Sequence, residues 1–261
     1  MRLDIVMPAH NEQERIDRTL RAYRAACPGE DVRFLVALDS CTDATPQIVA
    51  EHARRDARVR AFEYPKLGKG GVITATFRRS RADLVGFVDA DCATPPRELL
   101  RLAGAAAEMG GAIASRRHPA ALLPARRPFA RELTSAGFAS SVRMLMGLPY
   151  RDTQCGAKVL RRDVADDVLP HLAARDLLFD VDLLSAARER GWRVVEIPTV
   201  WIDQEGSRVS ALGDSRRMGA SLLRLWARRR LASPRRPGWR VETGRWARSP
   251  RREGRNHDAR V

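Results

Sequence analysis

Short apolar runs alternate with amphipathic stretches through the first 115 residues. The runs contain few charges, which is typical of strands buried on both faces of a sheet, and they lie at residues 2–8, 34–38, 59–64, 84–88 and 111–115. Between them, apolar residues recur at spacings of three and four, as Ile16, Leu20 and Tyr23 do, and predict amphipathic helices. Strands that alternate with helices in this way favour an α/β fold with a mostly parallel sheet.

The fourth apolar run, residues 84–88, ends abruptly at two aspartates. Asp89 and Asp91 lie two positions apart, so both carboxylates point to the same side of an extended segment. Ligands of open α/β sheets bind beyond the carboxyl ends of the strands, and Mg²⁺ or Mn²⁺ prefers carboxylate and phosphate oxygens. The pair is therefore a candidate site for a metal and a diphosphate. The alternative is a pair of solvated aspartates that caps the helix predicted near Pro95.

The second half of the chain is less regular. Its pattern predicts a long helix over 126–146, a turn into a short strand over 151–160, helices from about 163 and from 179, and a last strand over 192–198. We interpret the basic, proline-containing segment 116–124 as a mobile lid. Residues 213–232 predict a basic amphipathic helix, which either lies on a membrane surface or docks on the domain with its arginines in solvent.

Charge and composition narrow the class of protein. The chain has 261 residues and a net charge of +15. Residues 228–261 contain twelve arginines and only three acidic residues, so most of this charge lies at that end of the sequence. Residues 233–261 have no apolar period and are predicted to be disordered. The four cysteines form no C-x-x-C pair, so they predict neither a disulfide framework nor a zinc site. No apolar run is long enough for a membrane span and no leader opens the chain, so we expect a cytoplasmic protein.

Five short motifs occur in a fixed order along these elements. They are Pro8-Ala9-His10-Asn11-Glu12, Asp39-Ser40-Cys41-Thr42-Asp43, Gly68-Lys69-Gly70, Asp89-Ala90-Asp91 and Asp152-Thr153-Gln154-Cys155-Gly156-Ala157-Lys158. The ordered set resembles the family 2 glycosyltransferases with the GT-A fold, a Rossmann-like, mostly parallel sheet with helices on both faces. The last motif, together with Trp201 and segment 205–208, resembles most the dolichyl- or polyprenyl-phosphate glycosyltransferases, in their glucosyltransferase-like branch. The chain departs from the family at Leu38, where an aspartate is usual, and it lacks the hydrophobic C-terminal spans of some relatives.

The resemblance implies a domain organisation and a reaction. Residues 1–212 would form the GT-A domain, with a nucleotide-sugar half over 1–115 and an acceptor half with C-terminal helices over 116–212. The basic helix 213–232 and the disordered Arg-rich tail 233–261 would follow. The implied reaction is an inverting, metal-dependent transfer of a hexose, glucose or mannose, from a UDP- or GDP-sugar to a polyprenyl or dolichyl phosphate, with Mg²⁺ or Mn²⁺ as cofactor.

The resemblance also implies candidate site residues. They are Pro8, Asn11, Glu12, Asp39, Lys69 and Asp89 for the nucleotide sugar, Asp91 and Asp89 for the metal, and Asp152, Asp91 and Gln154 for catalysis. Because a guanidinium fork pairs with anionic oxygens, Arg116, Arg117 and Arg131 are candidates for the acceptor phosphate. A phosphate acceptor is already ionised and needs no strong base. An alcohol acceptor needs one, and Asp152 is then the candidate.

Two alternatives to the leading hypothesis remain open. In the first, the same fold glycosylates a soluble alcohol, such as a secondary metabolite or a cell-wall precursor. In the second, the chain is a basic nucleic-acid-binding module, because the Arg-rich tail contains Trp239 and Trp246. That tail has no recognised fold, so nucleic-acid binding would be an accessory role at most. Under the leading hypothesis we expect peripheral contact with the inner face of the membrane through the basic helix or the tail.

Overall fold

The computed structural model describes residues 1–124, 129–202 and 213–232, with side chains described outside 129–134 and 213–217. A seven-stranded sheet has the order β3-β2-β1-β4-β6-β5-β7. Its strands are β1 (Leu3–Ala9), β2 (Val32–Asp39), β3 (Val59–Tyr64), β4 (Leu84–Val88), β5 (Gly111–Ser115), β6 (Ala157–Arg161) and β7 (Val194–Pro198). Strand β1 is parallel to β2 and β4, β2 to β3, and β5 to β7, whereas β6 is antiparallel to β4 and β5. The predicted mostly parallel sheet is confirmed.

Helices cover both faces of this sheet, as predicted. They are α1 (Ile16–Ala26), α2 (Thr45–Arg55), α3 (Lys69–Arg79), α4 (Pro96–Met109), α5 (Phe129–Met146), α6 (Arg162–Val168), α7 (Phe179–Glu189) and α8 (Gly213–Ala232). Ile5 and Val6, neighbours on β1, belong to two different buried clusters because successive strand residues point to opposite faces. The first cluster includes Leu20 of α1, and the second includes Phe77 of α3 and Phe179 of α7.

Strand β1 runs through Pro8 to Ala9, one residue beyond the predicted end at the proline. Pairing with β4 stops at Val6, whereas pairing with β2 continues to Ala9. Pro8 therefore lies where β1 has a neighbouring strand on one side only, and there a missing backbone N–H disturbs the sheet least.

The antiparallel strand β6 brings the second half of the chain to the site. Val88, the last residue of β4, pairs with Ala157, the first residue of β6. The loop that precedes β6 therefore lies at the same edge as the carboxyl ends of β1, β2 and β4. That loop contains the Asp152–Gly156 part of the last motif.

Helix α8 is docked on the domain, which decides between the two alternatives left open for it. Leu222 and Leu225 are buried, and the Arg229 guanidinium pairs with Asp182 at 2.6 Å and Glu189 at 2.5 Å. Arginines on the opposite side of α8 are exposed. None of the helices in the described ranges has both the length and the apolar composition needed to cross a membrane.

Segment 116–124 is tied down at Leu122, in contrast to the mobile lid that we expected. The Leu122 N–H donates to the Thr199 carbonyl at 3.0 Å, and the Trp201 N–H donates to the Leu122 carbonyl at 3.0 Å. The first three residues of the predicted long helix, 126–128, lie outside the described residues, and so do the 205–208 motif and the predicted disordered tail 233–261.

Candidate active site

Three left-handed residues mark one edge of the sheet. Asn11, Ser40 and Cys92 have φ values of 57°, 53° and 60°, and they follow the carboxyl ends of β1, β2 and β4. These strands are neighbours in the sheet. Non-glycine residues rarely adopt this conformation, which costs about 1–3 kcal/mol each and clusters at functional sites. The edge formed by these three strand ends is therefore the candidate active site.

Asn11 joins the loops that follow β1 and β2. Its side-chain oxygen accepts a hydrogen bond from the Thr42 N–H at 2.7 Å, and its amide nitrogen donates to the Thr42 hydroxyl at 3.1 Å. The N–H of the next residue, Glu12, donates to the Thr45 hydroxyl at 2.8 Å, and its carboxylate pairs with Arg15 at 2.7 Å. Asn11 and Glu12 thus lie at the predicted edge, close to the end of β1 that includes Pro8.

Asp39 holds the glycine-rich loop in place. Its carboxylate oxygens accept hydrogen bonds from the backbone N–H groups of Leu67 at 2.7 Å and Gly68 at 3.1 Å. Gly68 has a φ of 76°, and a Cβ there would lie 2.6 Å from the Arg175 carbonyl oxygen, so only glycine fits. Both carboxylate oxygens of Asp39 are therefore engaged within the protein, and a bond to a nucleobase would have to share one of them.

Lys69 and Asp89 are brought together, although they are twenty positions apart in sequence. The Lys69 ammonium lies 2.6 Å from Asp89 Oδ1 and 5.6 Å from the centre of the Phe87 ring. Burial alone would lower the pKa of Lys69, but the charges of Asp89, Asp180 and Asp91, together with the hydrogen bond to Asp89, outweigh burial and raise it. Lys69 therefore remains protonated at neutral pH, as a partner for a phosphate must be.

Gly156 leaves room for the Asp89 side chain. The Asp89 N–H donates to the Gly156 carbonyl at 3.1 Å, and a Cβ added to Gly156 would overlap the Asp89 carboxylate. The glycine of the last motif thus fixes where the first aspartate of Asp89-Ala90-Asp91 can lie. Sequence reasoning quoted this glycine without assigning it a role.

Asp91 lies beside a second negative charge. Burial, and after it the charge of Asp89, raises the pKa of Asp91, while its Oδ1 accepts a hydrogen bond from the Ala93 N–H at 2.9 Å. A carboxylate whose ionisation is opposed by burial and by a neighbouring negative charge suits a bound cation. The described residues contain no cluster of three or more His, Cys, Asp or Glu ligands. Two carboxylates still suit Mg²⁺ or Mn²⁺, because these ions usually take one or two carboxylates and complete their shell with phosphate and water.

Asp152 and Arg116 form a buried ion pair. Arg116 donates from Nε to Asp152 Oδ2 at 2.6 Å, from Nη2 to Oδ1 at 2.8 Å and from its backbone N–H to Oδ2 at 3.0 Å. Burial raises the pKa of Asp152, but the Arg116 charge and hydrogen bonds outweigh burial and lower the pKa to about 2. Asp152 is therefore a weak base. We predicted that Arg116 binds an acceptor phosphate, but its guanidinium Nε and Nη2 both donate to Asp152.

Sequence reasoning missed Glu196, which orients the Asp152 loop. Its carboxylate accepts hydrogen bonds from the N–H groups of Arg151 at 2.9 Å and Asp152 at 2.8 Å. Burial raises the pKa of Glu196, and these two N–H groups oppose that rise. The signal was present, because Glu196 is the one charged residue in the otherwise apolar run of β7.

Beside Asp152, the loop contains buried polar atoms that have no hydrogen-bond partner among the described residues. They are the Thr153 hydroxyl oxygen and the Gln154 side-chain nitrogen. Such a group typically costs about 1–3 kcal/mol, which a bound ligand can offset. The Gln154 side-chain nitrogen is thus available as a hydrogen-bond donor to a bound ligand. The other two arginine candidates differ: Arg117 Nη2 donates to the Ser135 hydroxyl of α5 at 2.8 Å, and the Arg131 side chain lies outside the described residues.

Comparison with known proteins decides the family. The family described as "Glycosyl transferase family 2" matches residues 4–169. The chain belongs to glycosyl transferase family 2. This glycosyltransferase is 30% identical to glycosyltransferase AglD of Haloferax volcanii over 231 residues, 86% of this chain but only 37% of AglD. It is 28% identical to the dolichyl-phosphate beta-glucosyltransferase of Drosophila melanogaster, covering 87% of this chain and 75% of that protein. It is 30% identical to the undecaprenyl-phosphate mannosyltransferase of Micrococcus luteus, covering 84% and 88% respectively.

Solved structures show that this family 2 glycosyltransferase has the expected GT-A fold. Glucosyl-3-phosphoglycerate synthase from Mycobacterium tuberculosis, in complex with Mn²⁺, UDP and glucosyl-3-phosphoglycerate, superposes with a TM-score of 0.67 at 18% identity, covering 87% of this chain and 80% of that one. The same enzyme with Mg²⁺ and UDP gives a TM-score of 0.64 at 16% identity, covering 87% and 79%. Divalent metals accompany the nucleotide in both of these neighbours. The alternative that the whole chain is a nucleic-acid-binding module is set aside.

Proposed function

We propose that this glycosyltransferase moves a hexose from a UDP- or GDP-sugar to a polyprenyl phosphate, with inversion at the anomeric carbon. Two kinds of relative support the acceptor, since their names specify dolichyl phosphate and undecaprenyl phosphate. The choice between glucose and mannose is left to experiment, because the relatives include one enzyme named for each sugar.

The Asp152–Arg116 pair is the observation that carries the choice of acceptor. An alcohol must lose a proton as it attacks, so it needs a base whose pKa lies near the working pH. With its pKa lowered to about 2 and both oxygens bonded to Arg116, Asp152 does not meet this need. A phosphate monoester attacks through an oxygen that is already ionised. The geometry therefore favours the phosphate acceptor over the soluble alcohol.

On the donor side, the proposed roles follow from charge. Departure of the nucleoside diphosphate builds negative charge on the β-phosphate, and a divalent metal at Asp91 and Asp89 would neutralise that charge. Lys69 lies against Asp89 and remains protonated, and under this proposal it would hold a phosphate oxygen of the donor. Gln154 would orient the transferred sugar. Pro8, Asn11, Glu12 and Asp39 would face the base and ribose from the neighbouring strand ends.

The acceptor and donor are tested together. The full chain is incubated with Mn²⁺, undecaprenyl phosphate and one sugar-labelled donor at a time: UDP-glucose, GDP-glucose, UDP-mannose or GDP-mannose. The label that passes into the organic phase is then measured. We expect label in the organic phase with one donor and its loss in Asp91→Asn. Asp163→Asn, at an exposed aspartate paired with Arg161, is the matched control and should retain turnover. Transfer only to water-soluble alcohols would overturn the proposed acceptor, and full turnover in Asp91→Asn would overturn the proposed metal site.

We also propose that the outer side of α8 contacts the anionic inner face of the membrane. Leu223 and Leu231 of α8 are 54% and 88% exposed, and Met144 of α5, which packs against α8, is 80% exposed. The exposed α8 residues also include Arg224, Arg228 and Arg230. Apolar side chains among arginines suit the headgroup region of an anionic bilayer.

Vesicle binding tests this contact. Paired Leu223→Asp and Leu231→Asp substitutions should weaken sedimentation with phosphatidylglycerol vesicles about tenfold or more, because apolar burial is lost and two acidic groups are added. Leu100→Asp, at a leucine that is 37% exposed on α4, is the control and should bind as the wild type does. Equal binding of all three proteins would remove α8 as the membrane surface.

A further inference from the structure

We propose that helix α1 holds the Asp89–Asp91 loop in its metal-binding shape through the hydroxyl groups of Thr19 and Tyr23. This inference rests on the proposed metal site. It assigns these two residues as positioning residues, since their hydroxyl groups bond backbone carbonyls rather than the two carboxylates. They act through the backbone of the loop, which we call the carboxylate loop and define as residues 89–94.

The backbone carbonyls of the carboxylate loop are held from outside the loop. On the α1 side, the Thr19 hydroxyl donates to the Ala90 carbonyl at 2.8 Å, and the Tyr23 hydroxyl donates to the Thr94 carbonyl at 2.8 Å. Arg18 Nη2 adds a longer bond of 3.3 Å to the Asp91 carbonyl. A residue from later in the sequence also contributes, because the Ile202 N–H donates to the Ala93 carbonyl at 2.9 Å. The loop is therefore fixed at four of its six carbonyls.

The loop needs such support for two reasons. Cys92 sits in the left-handed region with a φ of 60°, a strained conformation that persists only where the surroundings impose it. The two carboxylates also repel each other, so without a cation an unsupported loop would separate them. Hydrogen bonds to the carbonyl oxygens of the loop oppose both the relaxation of the Cys92 backbone and the separation of the carboxylates. They leave the aspartate side chains free of these bonds, and the backbone of the loop then sets the direction of those side chains.

Thr19 and Tyr23 are suited to this task by their place on α1. They are four residues apart, so they lie on one side of the helix about one turn from each other. Both are fully buried. Ile16 and Leu20 of the same helix are buried as well and supply apolar packing, so the hydroxyl groups add hydrogen bonds rather than area. A loop that is already ordered loses less entropy when the metal and the diphosphate bind.

Two variants isolate the hydroxyl groups: Tyr23→Phe and Thr19→Val. Binding of Mn²⁺ in the presence of UDP is measured on the full chain by the loss of the free Mn²⁺ resonance, without turnover, and thermal unfolding is measured beside it. We expect each variant to weaken Mn²⁺ binding about two- to tenfold, the range that one lost hydrogen bond accounts for. The Mn²⁺ concentration for half-maximal activity should rise by the same factor, with little change in kcat at saturating metal.

Thr76→Val is the matched control. Thr76 is a buried threonine of α3, and its hydroxyl donates to the Val72 carbonyl four residues earlier at 2.8 Å. The corresponding Arg15 carbonyl lies 3.1 Å from the Thr19 hydroxyl, whose one hydrogen is bonded to the nearer Ala90 carbonyl. The other contact of Thr76 is the Tyr64 hydroxyl rather than the carboxylate loop. It should therefore lose similar stability with unchanged Mn²⁺ affinity. Unchanged affinity in Tyr23→Phe and Thr19→Val, with normal binding by the wild type, would overturn the inference alone. Failure of the wild type to bind Mn²⁺ with UDP would overturn the metal site as well.

Discussion

At the scale of single residues, the candidate site depends as much on what is small or strained as on what is charged. Asp89 can occupy its position only because Gly156 has no side chain. The carboxyl edge turns at Asn11, Ser40 and Cys92, each in a left-handed conformation. Such positions constrain where the carboxylates lie without taking part in the chemistry, and substitution there should reduce activity through geometry.

Gly156→Ala tests this constraint. The new methyl group would overlap the Asp89 carboxylate, so that side chain must leave the position in which it now pairs with Lys69. Misplacement of a reacting group by about 1 Å can cost about a hundredfold in rate, and we expect a loss of that order in sugar transfer. Gly137→Ala in α5, where a Cβ meets nothing within 4 Å, is the control and should remain active. Equal activity of both variants would show that Asp89 does not need its observed position.

The Asp152–Arg116 pair makes a prediction about pH. Because the pKa of Asp152 is lowered to about 2 in the folded protein, the pair stabilises the fold above the ordinary aspartate value near 4, and this stability is lost as the pH falls towards 2. Asp152→Asn leaves Arg116 buried without its partner, so at pH 7 it should lower the free energy of unfolding by about 3–5 kcal/mol. The difference from the wild type should narrow below about pH 4.

Chemical denaturation at several pH values measures this difference. Asp166→Asn removes an exposed carboxylate that pairs with Arg162, and it should cost less than about 1 kcal/mol throughout. A gap between Asp152→Asn and the wild type that stays constant down to pH 2.5 would contradict the assigned ion pair.

At the scale of elements, helix α8 is held to the domain by one buried arginine as well as by leucines. Arg229 reaches Asp182 and Glu189 of α7, and Asp182 also accepts hydrogen bonds from the N–H groups of Ala173 and Ala174. The charge on Arg229 thus compensates a fully buried carboxylate. This attachment leaves the opposite side of α8 available to solvent or to a membrane.

Arg229→Met should loosen α8 because it leaves Asp182 buried and unpaired. We expect a loss of about 3 kcal/mol or more in stability and faster amide exchange along residues 213–232. Arg228→Met changes the neighbouring exposed arginine and should alter neither quantity measurably. If both variants exchange alike, Arg229 does not hold the helix.

At the scale of the whole molecule, most of the excess positive charge lies in a different part of the chain from the residues of the candidate site. The sheet edge holds the carboxylates of the candidate site, whereas the excess of positive charge is concentrated from residue 228 onwards. Charge placed at one end of the chain favours orientation on an anionic surface rather than tighter binding of the donor.

Removal of residues 233–261 tests this separation. Vesicle binding should weaken and become less sensitive to salt, because nine arginines are lost with three acidic residues. Turnover with a short-chain, water-soluble polyprenyl phosphate should stay within about twofold of the full chain, since no residue of the candidate site is removed. Retention on RNA is measured in parallel. Loss of RNA binding with unchanged vesicle binding would assign the tail to nucleic acid instead.

Sequence predicted the elements better than it predicted the contacts between them. The apolar runs gave all five strands of the first half because buried strands of a mostly parallel sheet have an unbroken apolar pattern. The pattern could not show that Arg116 would pair with Asp152, since the two lie 36 positions apart and meet only through the sheet. The same holds for Tyr23, whose apolar periodicity predicted burial but whose hydroxyl partner, Thr94, depends on how α1 packs. The individual roles of the site residues stay predictions.

The opposite direction of β6 has a consequence for the exchange of acceptor specificity between relatives. Because β6 pairs with both β4 and β5, residues 116–156 leave the sheet after β5 and return to it at β6, between two strands of the proposed donor half. A chimera in which this region comes from a homologue would need to preserve the pairing of Val88 with Ala157 and the glycine at position 156, and little else of the sheet. Under the proposed division into a donor half and an acceptor half, a new acceptor region could then be joined to an unchanged donor half through two splice points.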